Sequence, residues 1–184
     1  MYMFDVETLG VESTAVILSA AILYFEEGDD YDTLLKKALF VKFDSKYQIQ
    51  HLNRTVDQDT LKWWSNIHPS IRELSFAPQP SDMHPAEGID KIKQYVKQYG
   101  PNVVWARGSL DQMVIDSLCT KLDTDKIVPY NNWRDVRTGV EILCSTAKNG
   151  YCDVNHPTFG RHNVIKHHPV HDCALDAMML LYGV

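Results

Sequence analysis

Asp5 and Glu7 are two acids, two residues apart, at the end of a short apolar run near the start of the chain. In a β-strand, residues i and i+2 point to the same face, so the two carboxylates are expected to share one space. Carboxylates held that close raise each other's pKa unless a cation lies between them. For two isolated acids of this kind, a strand end that reaches solvent is the simpler explanation. The two acids indicate a functional site only if further acids lie close to them.

Asp111 and Asp176 are the further acids whose surroundings suggest a site. Asp111 follows an apolar run at 103–105 and the turn at Gly108, at the predicted start of a helix, where an acid also simply complements the helix dipole. Asp176 stands beside Leu175 and interrupts the apolar stripe of the last predicted helix. An acid on a packing face is costly unless it is paired or coordinates a metal. Asp176 is therefore the hardest of the four acids to explain structurally.

The elements that must position these acids follow from hydrophobic periodicity. Apolar runs of strand length predict strands, and apolar residues at helical spacing predict helices. The predicted strands cover residues 2–6, 15–25, 38–43, 103–105 and 127–129. The predicted helices cover residues 57–66, 86–99, 110–122, about 135–145 and 172–182, with a loop over 148–168. Three consecutive strands suggest an antiparallel meander, and the whole order predicts an α/β fold on a mixed sheet.

Length and composition limit the class of protein. The chain has 184 residues, of which 45% are hydrophobic, enough for a single domain over residues 1–184. No apolar run reaches the length needed to span a bilayer, and an acid as early as Asp5 is untypical of a secretory signal. We therefore expect a cytoplasmic protein without membrane contact. The four cysteines form no Cys-x-x-Cys pair and are expected to be reduced.

The formal net charge of the chain is −6. This charge argues against a protein that coats duplex nucleic acid, because phosphate neutralisation requires clustered Lys and Arg. It does not exclude an enzyme that binds one strand end, since bound divalent cations supply positive charge to the phosphates there.

Taken together, the acidic segments resemble the three sequence blocks of the DEDDh exonuclease superfamily. These blocks are Asp-x-Glu near the N-terminus, an Asp near the middle and His-x4-Asp near the C-terminus, and all three occur here in order. Three further stretches are similar to the branch that contains T-even phage exonuclease A and the mycobacterial adenylate-preferring exoribonuclease. They are Leu61-Lys62-Trp63-Trp64, Trp105-Ala106-Arg107-Gly108 and Trp133-Arg134-Asp135-Val136-Arg137-Thr138.

The third block fits the chain in two registers, which pair either His171 with Asp176 or His167 with Asp172. Asp176 lies on the inward stripe of the predicted helix, whereas Asp172 stands at the helix start and is able to cap it. Pro169 disfavours helix at the residue before it and leaves His167 in the preceding loop. We therefore prefer the register of His171 and Asp176.

The resemblance implies a ribonuclease H-like fold, in which three antiparallel strands are followed by strands parallel to the first. It also implies a 3′-to-5′ exonuclease that hydrolyses single nucleotides from the 3′ end of single-stranded DNA or RNA. A phage or prophage origin and a location in the bacterial cytoplasm follow from the same branch. Because relatives are often dimers, a homodimer stays open.

By the same resemblance, two divalent cations, Mg²⁺ or Mn²⁺, would be held by Asp5, Glu7, Asp111 and Asp176. Such an all-oxygen set favours these cations over zinc. Asp5 would bridge both cations, Glu7 and Asp176 would hold the cation that carries the attacking water, and Asp111 would hold the other. Glu7 and His171 are the expected catalytic residues, with His171 as the general base that accepts the proton of that water.

Four neighbouring residues are candidates for substrate contact. Thr8 and Leu9 follow the Asp-x-Glu pair, where related enzymes contact the terminal nucleotide through backbone and an apolar wedge, although Leu9 is also a candidate for the core. Trp63 and Trp64 offer faces on which a base can stack. Adjacent helical residues point in different directions, so at most one of them stacks, and we assign this contact to Trp64.

The arginines and one further acid of the branch-like stretches have simpler expected roles. Arg107, Arg134 and Arg137 are candidates for phosphate contacts, but salt bridges at the surface of an acidic protein are the favoured expectation. Asp135 is expected to be a structural acid at a helix start, outside the metal site.

Two other classes of protein stay open. A nucleic-acid-binding module would keep the exonuclease fold without activity, but its mark, a lost acid, is absent from the sequence. A His-rich metal-binding protein would use the C-terminal histidines, together with Cys152 or Cys173, in spacings that match no zinc pattern. These histidines are His156, His162, His167, His168 and His171. The choice between DNA and RNA is also open, because a contact to the 2′-hydroxyl can come from backbone.

Overall fold

The strands form one mixed sheet in the computed structural model, which describes residues 1–161 and 164–184. In chain order the five strands of this described part are β1 (Tyr2–Thr8), β2 (Ile17–Tyr24), β3 (Leu39–Lys42), β4 (Val104–Ala106) and β5 (Trp133–Asp135). They lie side by side in the order β3-β2-β1-β4-β5. The first three strands pair antiparallel, and β4 and β5 run parallel to β1. The mixed sheet, with its antiparallel meander, confirms the predicted fold class.

The helices cover both faces of this sheet. They are α1 (Tyr31–Lys37), α2 (Ser45–Leu52), α3 (Gln58–Asn66), α4 (Pro69–Ile71), α5 (Pro85–Tyr99), α6 (Leu110–Lys121), α7 (Val136–Leu143) and α8 (Pro169–Tyr182). A π-helical turn, Arg72–Phe76, follows α4, and short 3₁₀ turns lie at Tyr130–Asn132 and Phe159–Arg161. No helix among the described residues is long and apolar enough to cross a membrane.

Side-chain alternation along β1 separates two apolar cores. Tyr2 and Phe4 point to one side and pack with residues of α5 and α6, such as Ile89 and Ile115. Met3 points to the other side and packs with residues of α1, α7 and α8. The central strand is therefore buried on both faces, and its functional residues are displayed only where it ends.

Three departures from the predicted elements have a physical cause. The last strand forms at Trp133–Asp135, because these residues pair with β4, whereas Ile127 and Val128 are buried without strand pairing. Helices α1 and α2 lie where no helix was predicted, and both are capped by an aspartate side chain. Helix α8 begins at Pro169, three residues earlier than predicted.

Candidate active site

Asp5 and Glu7 lie at the carboxyl end of β1, opposite Ala21 and Ser19 of the neighbouring strand. Because β4 runs parallel to β1, the turn that follows β4 delivers the first residues of α6 to the same edge of the sheet. Asp111 is 6% exposed there, and its Oδ1 accepts a hydrogen bond of 3.0 Å from the backbone N–H of Val6. The structure thus brings together the first three predicted acids.

Asp176, the fourth predicted acid, is engaged in an ion pair with an arginine. It lies on α8 and is 7% exposed. Arg107 donates to both of its oxygens, from Nε at 3.1 Å and from Nη2 at 2.5 Å. The same guanidinium donates to the carbonyl of Gly150 at 3.0 Å, and its Cζ lies 4.0 Å from the ring centroid of Tyr151. The salt bridge expected for Arg107 is present, but it is buried within the fold.

Asp172 lies one helical turn before Asp176 and close to the acids of β1. Its Oδ2 accepts a hydrogen bond of 2.9 Å from the backbone N–H of His167, a residue in the left-handed region with a φ of 62°. One potential ligand atom from each of Glu7, His167 and Asp172 lies within 4.8 Å of the others. Among the described residues, this is the group of His, Cys, Asp and Glu side chains that is arranged to hold a metal ion.

His171 lies in the first turn of α8 and contacts a different element. Its Nδ1 is 2.9 Å from the hydroxyl of Tyr31, a buried residue of α1. The geometry therefore favours the register of His167 and Asp172 over the register preferred from the sequence. Pro169 was the available signal, since proline is favoured at the first position of a helix and this places Asp172 in the first turn.

Burial and mutual repulsion raise the pKa of the clustered carboxyls. The pKa of Asp5 lies well above its ordinary value because the group is desolvated and faces other acids, above all Asp111. Burial first, and then repulsion from Asp172, raises the pKa of Glu7 to about 8. Burial also raises the pKa of Asp111 and of Asp172 to about 7. Carboxyls in such surroundings are stabilised as anions by a cation.

A cleft of about 420 Å³ opens beside this acidic cluster. Glu7, Thr8, Trp63 and the exposed Val11 are among the residues that line it. Trp63 lies on α3, is 42% exposed, and meets the His167 ring edge to face with 4.8 Å between centroids.

The assignment of base stacking to Trp64 is corrected by its burial, since this residue is only 1% exposed. Its Nε1 donates to the carbonyl of Thr8 at 3.0 Å, so the ring supports the end of β1 from inside. Leu9 is 6% exposed and packs in the same apolar cluster. It belongs to the core, and the predicted wedge contact from its side chain is corrected as well.

Asp135 and Arg134 are held by local contacts. Asp135 caps α7 and accepts hydrogen bonds from the backbone N–H groups of Gly108, at 2.9 Å, and Thr138, at 3.0 Å. It is the structural acid that was expected. Arg134 is exposed, and its guanidinium donates to nearby backbone carbonyls, those of Asn131 and Trp133.

In the described part of the chain the C-terminal histidines have separate partners, apart from His168 and His171, whose rings meet edge to face with 5.3 Å between centroids. His156 bonds with Thr158, and His168 stacks on Phe40 with 5.1 Å between ring centroids. His162 lies outside the described residues. All four cysteines are free thiols, as expected.

A mixed sheet of this order, with acids clustered at the carboxyl end of its central strand, is the architecture of the ribonuclease H-like exonucleases. The chain belongs to the 3′-5′ exoribonuclease Rv2179c-like domain family, whose model matches residues 1–183. It is 28% identical over 205 aligned residues to the exodeoxyribonuclease of Enterobacteria phage T4, an alignment that covers 100% of this chain and 88% of the relative. No solved structure gives a significant match. The family resemblance found in the sequence is confirmed.

Proposed function

We propose that this protein is a 3′-to-5′ exonuclease that uses two divalent cations, Mg²⁺ or Mn²⁺, to hydrolyse single nucleotides from the 3′ end of single-stranded nucleic acid. Membership of an exonuclease family supports nuclease chemistry. The observation that carries the finer proposal is the cluster of half-buried and buried carboxyls at the end of β1, whose pKa values are raised by desolvation and by one another.

The donor set fits hard divalent cations. We assign the ligands to Asp5, Glu7, Asp111 and Asp172, because their carboxylate oxygens are the donors that Mg²⁺ and Mn²⁺ prefer. When bound, the cations would supply charge that stabilises the attacking and leaving oxygens of the displacement. Asp176 is not assigned as a ligand, since both of its oxygens already accept from Arg107.

His167 is the general base in this proposal and replaces His171. Its ring stands beside Glu7 and Asp172, where an attacking water would be held. Partial burial lowers the pKa of His167, so the imidazole is neutral near pH 7 and able to accept the proton of that water. The Nδ1 of His171 is instead engaged with Tyr31.

Thr8 and Trp63 are the substrate contacts that we propose. Both line the cleft next to Glu7, so a terminal base there would be held close to the acidic cluster. The exposed indole of Trp63 offers a stacking face, a contact that tolerates any base. Leu9 and Trp64 would support this surface from the core through packing, without touching the substrate.

The test is to incubate the protein with 5′-labelled single strands of DNA and of RNA, in Mg²⁺ and in excess chelator. We expect a ladder that shortens from the 3′ end in Mg²⁺ and no product in chelator. Both sugars are needed, because the family model is described as an exoribonuclease and the phage T4 relative is described as an exodeoxyribonuclease. The variant Asp111→Asn is the control, since the amide oxygen keeps the hydrogen bond from Val6 but lacks the charge.

Cleavage in excess chelator, internal cuts, or shortening from the 5′ end would contradict the proposal. Binding of the strands without any product would favour the alternative of an inactive nucleic-acid-binding module. The complete set of acids argues for activity over that alternative. A single domain over residues 1–184, the cytoplasmic location and the phage origin stay predictions.

A further inference from the structure

The side chain of Arg137 passes between two glycines, and its guanidinium lies near the edge of the acidic cluster. Gly108 and Gly150 both have positive φ, 85° and 73°, a backbone conformation that favours glycine. A Cβ on Gly150 would meet the Cβ and Cγ of Arg137 at 2.5 and 2.6 Å. A Cβ on Gly108 would lie 3.7 Å from its Nη1. One glycine thus covers the stem of the arginine, and the other lies under its guanidinium.

One turn positions two arginines with different partners. Lys148 and Tyr151 form an antiparallel bridge, and between them Gly150 touches the stem of Arg137 while its carbonyl accepts from Arg107. Arg107 is neutralised by its bonds to Asp176, whereas no hydrogen bond or ion pair joins the Arg137 guanidinium to any residue that the structure describes. Arg137 is also exposed. It is an exposed cation whose stem packs against Gly150.

The Arg137 guanidinium stands at the turn that leads into α6. It lies over Gly108, three residues before Asp111, and the backbone N–H of Gly108 donates to Asp135 at the start of α7. These contacts hold the start of α7, which carries Arg137, against the start of α6, which carries Asp111. The charge of Arg137 therefore lies on the α7 side of the acidic cluster, where a phosphate of a bound strand would pass.

We propose that Arg137 binds a phosphate of the single-stranded substrate on the α7 side of the acidic cluster. This inference rests on the proposed exonuclease function. A planar guanidinium binds phosphate oxygens in pairs, which a lysine ammonium does not reproduce. The contact with Gly150 fixes its stem and therefore reduces the freedom that it would lose on binding. In a chain of net charge −6, a preplaced cation at this point supplies attraction for the strand.

The test compares Arg137→Met with Arg134→Met, an exposed arginine of the same segment whose guanidinium donates to nearby carbonyls. The dissociation constant of a 5′-fluorescein single strand is measured by anisotropy, with Ca²⁺ in place of Mg²⁺ to prevent turnover. We expect Arg137→Met to weaken binding roughly 10- to 100-fold and to lower the slope of log Kd against log salt by about 0.7. Arg137→Lys should keep the slope but recover only part of the affinity. Arg134→Met should match the unchanged protein.

Equal Kd and salt slope for Arg137→Met and Arg134→Met would overturn the inference. So would a parallel loss of Mn²⁺ affinity in Arg137→Met, measured by calorimetry without substrate, because that result would limit the role of Arg137 to supporting the acids. Failure of the proposed function is a different result: the unchanged protein does not shorten the strand in Mg²⁺, whether or not it binds the strand.

Discussion

At the residue scale, the identity of the general base depends on where α8 begins. Pro169 starts the helix, which leaves His167 just outside it and places His171 within its first turn. A histidine in the preceding segment is free to turn toward Glu7, whereas the side chain of His171 is carried toward α1 and meets Tyr31. Both histidines have a pKa lowered by burial, so position rather than titration separates their roles.

We predict that His167→Ala lowers kcat by roughly 10²- to 10⁴-fold, the usual contribution of a general base. His171→Ala should change kcat by less than about 10-fold, since it removes one hydrogen bond to Tyr31 and no proposed contact with water or substrate. Single-turnover cleavage of a labelled strand at saturating Mg²⁺ measures both variants. The reverse order of activities would restore His171 and Asp176 as the site pair.

At the scale of one element, α8 carries two acids a turn apart that have opposite effects on stability. Asp176 neutralises a half-buried arginine, Arg107, and the two side chains are 10% and 13% exposed. No arginine among the described side chains pairs with Asp172, which adds to the repulsion within the acidic cluster. Removal of one partner of an ion pair leaves the other charge unpaired in the interior, which lowers the stability of the fold. Removal of a repelling carboxylate relieves repulsion and does not lower it.

We predict that Asp176→Ala lowers the free energy of unfolding by about 3–5 kcal/mol, while Asp172→Ala leaves the metal-free protein as stable as before or slightly more stable. Urea unfolding in excess chelator measures both. Cleavage should be lost in Asp172→Ala, although this variant stays folded. An unstable Asp172→Ala, or an Asp176→Ala of ordinary stability, contradicts the division of roles between these two acids.

Helix α3 likewise carries two neighbouring tryptophans that point in different directions, Trp63 into the cleft and Trp64 into the core. We predict that Trp63→Ala raises KM by roughly 5- to 100-fold through loss of a stacked base, whereas Trp63→Phe keeps most of the affinity. Trp64→Ala should instead cost about 3–5 kcal/mol of stability through the cavity that it leaves. Steady-state kinetics and urea unfolding of the three variants separate these effects. A destabilised Trp63→Ala with unchanged KM would show that its ring only packs.

At the scale of the whole molecule, the acidic cluster makes folding depend on pH. Carboxyls whose pKa is about 7 to 8 in the folded protein have a pKa of about 4 in the unfolded chain. Between these values the folded state holds protons that the unfolded state has released. Its free energy of unfolding therefore falls as pH rises from about 4 to about 8 and levels off above that range.

We predict that the melting temperature of the metal-free protein is several degrees lower at pH 8 than at pH 5.5, since each kcal/mol corresponds to about 2–4 °C in a chain of this size. Mn²⁺ should raise it at pH 8, because the cation binds only the folded state, and much less at pH 5.5, where protons compete for the ligands. Asp111→Asn should flatten the pH dependence. A melting temperature that rises with pH in chelator, or that ignores Mn²⁺ at pH 8, contradicts this account.

Short-range patterns in the sequence determined the fold class and the placement of Asp5 and Glu7 in the site. Alternation along β1 fixes which residues face the two cores, and it places Asp5 and Glu7 on one face at the strand end. The apolar stripe of α5 and the capping aspartate of α3 are equally local, and both helices form close to their predicted bounds. Such features depend on residues a few positions apart, so the sequence alone is enough to predict them.

Contacts between distant parts of the chain decided the rest. Arg107 and Asp176 are 69 residues apart in sequence, and nothing near Asp176 in the sequence indicates that its charge is already neutralised. The choice between Trp63 and Trp64 depends on which side of α3 faces the end of β1, and the freedom of Arg137 depends on the turn around Gly150. Tertiary packing decides which of several suitable side chains is buried, paired or open, because only the folded chain brings their partners within a few ångströms.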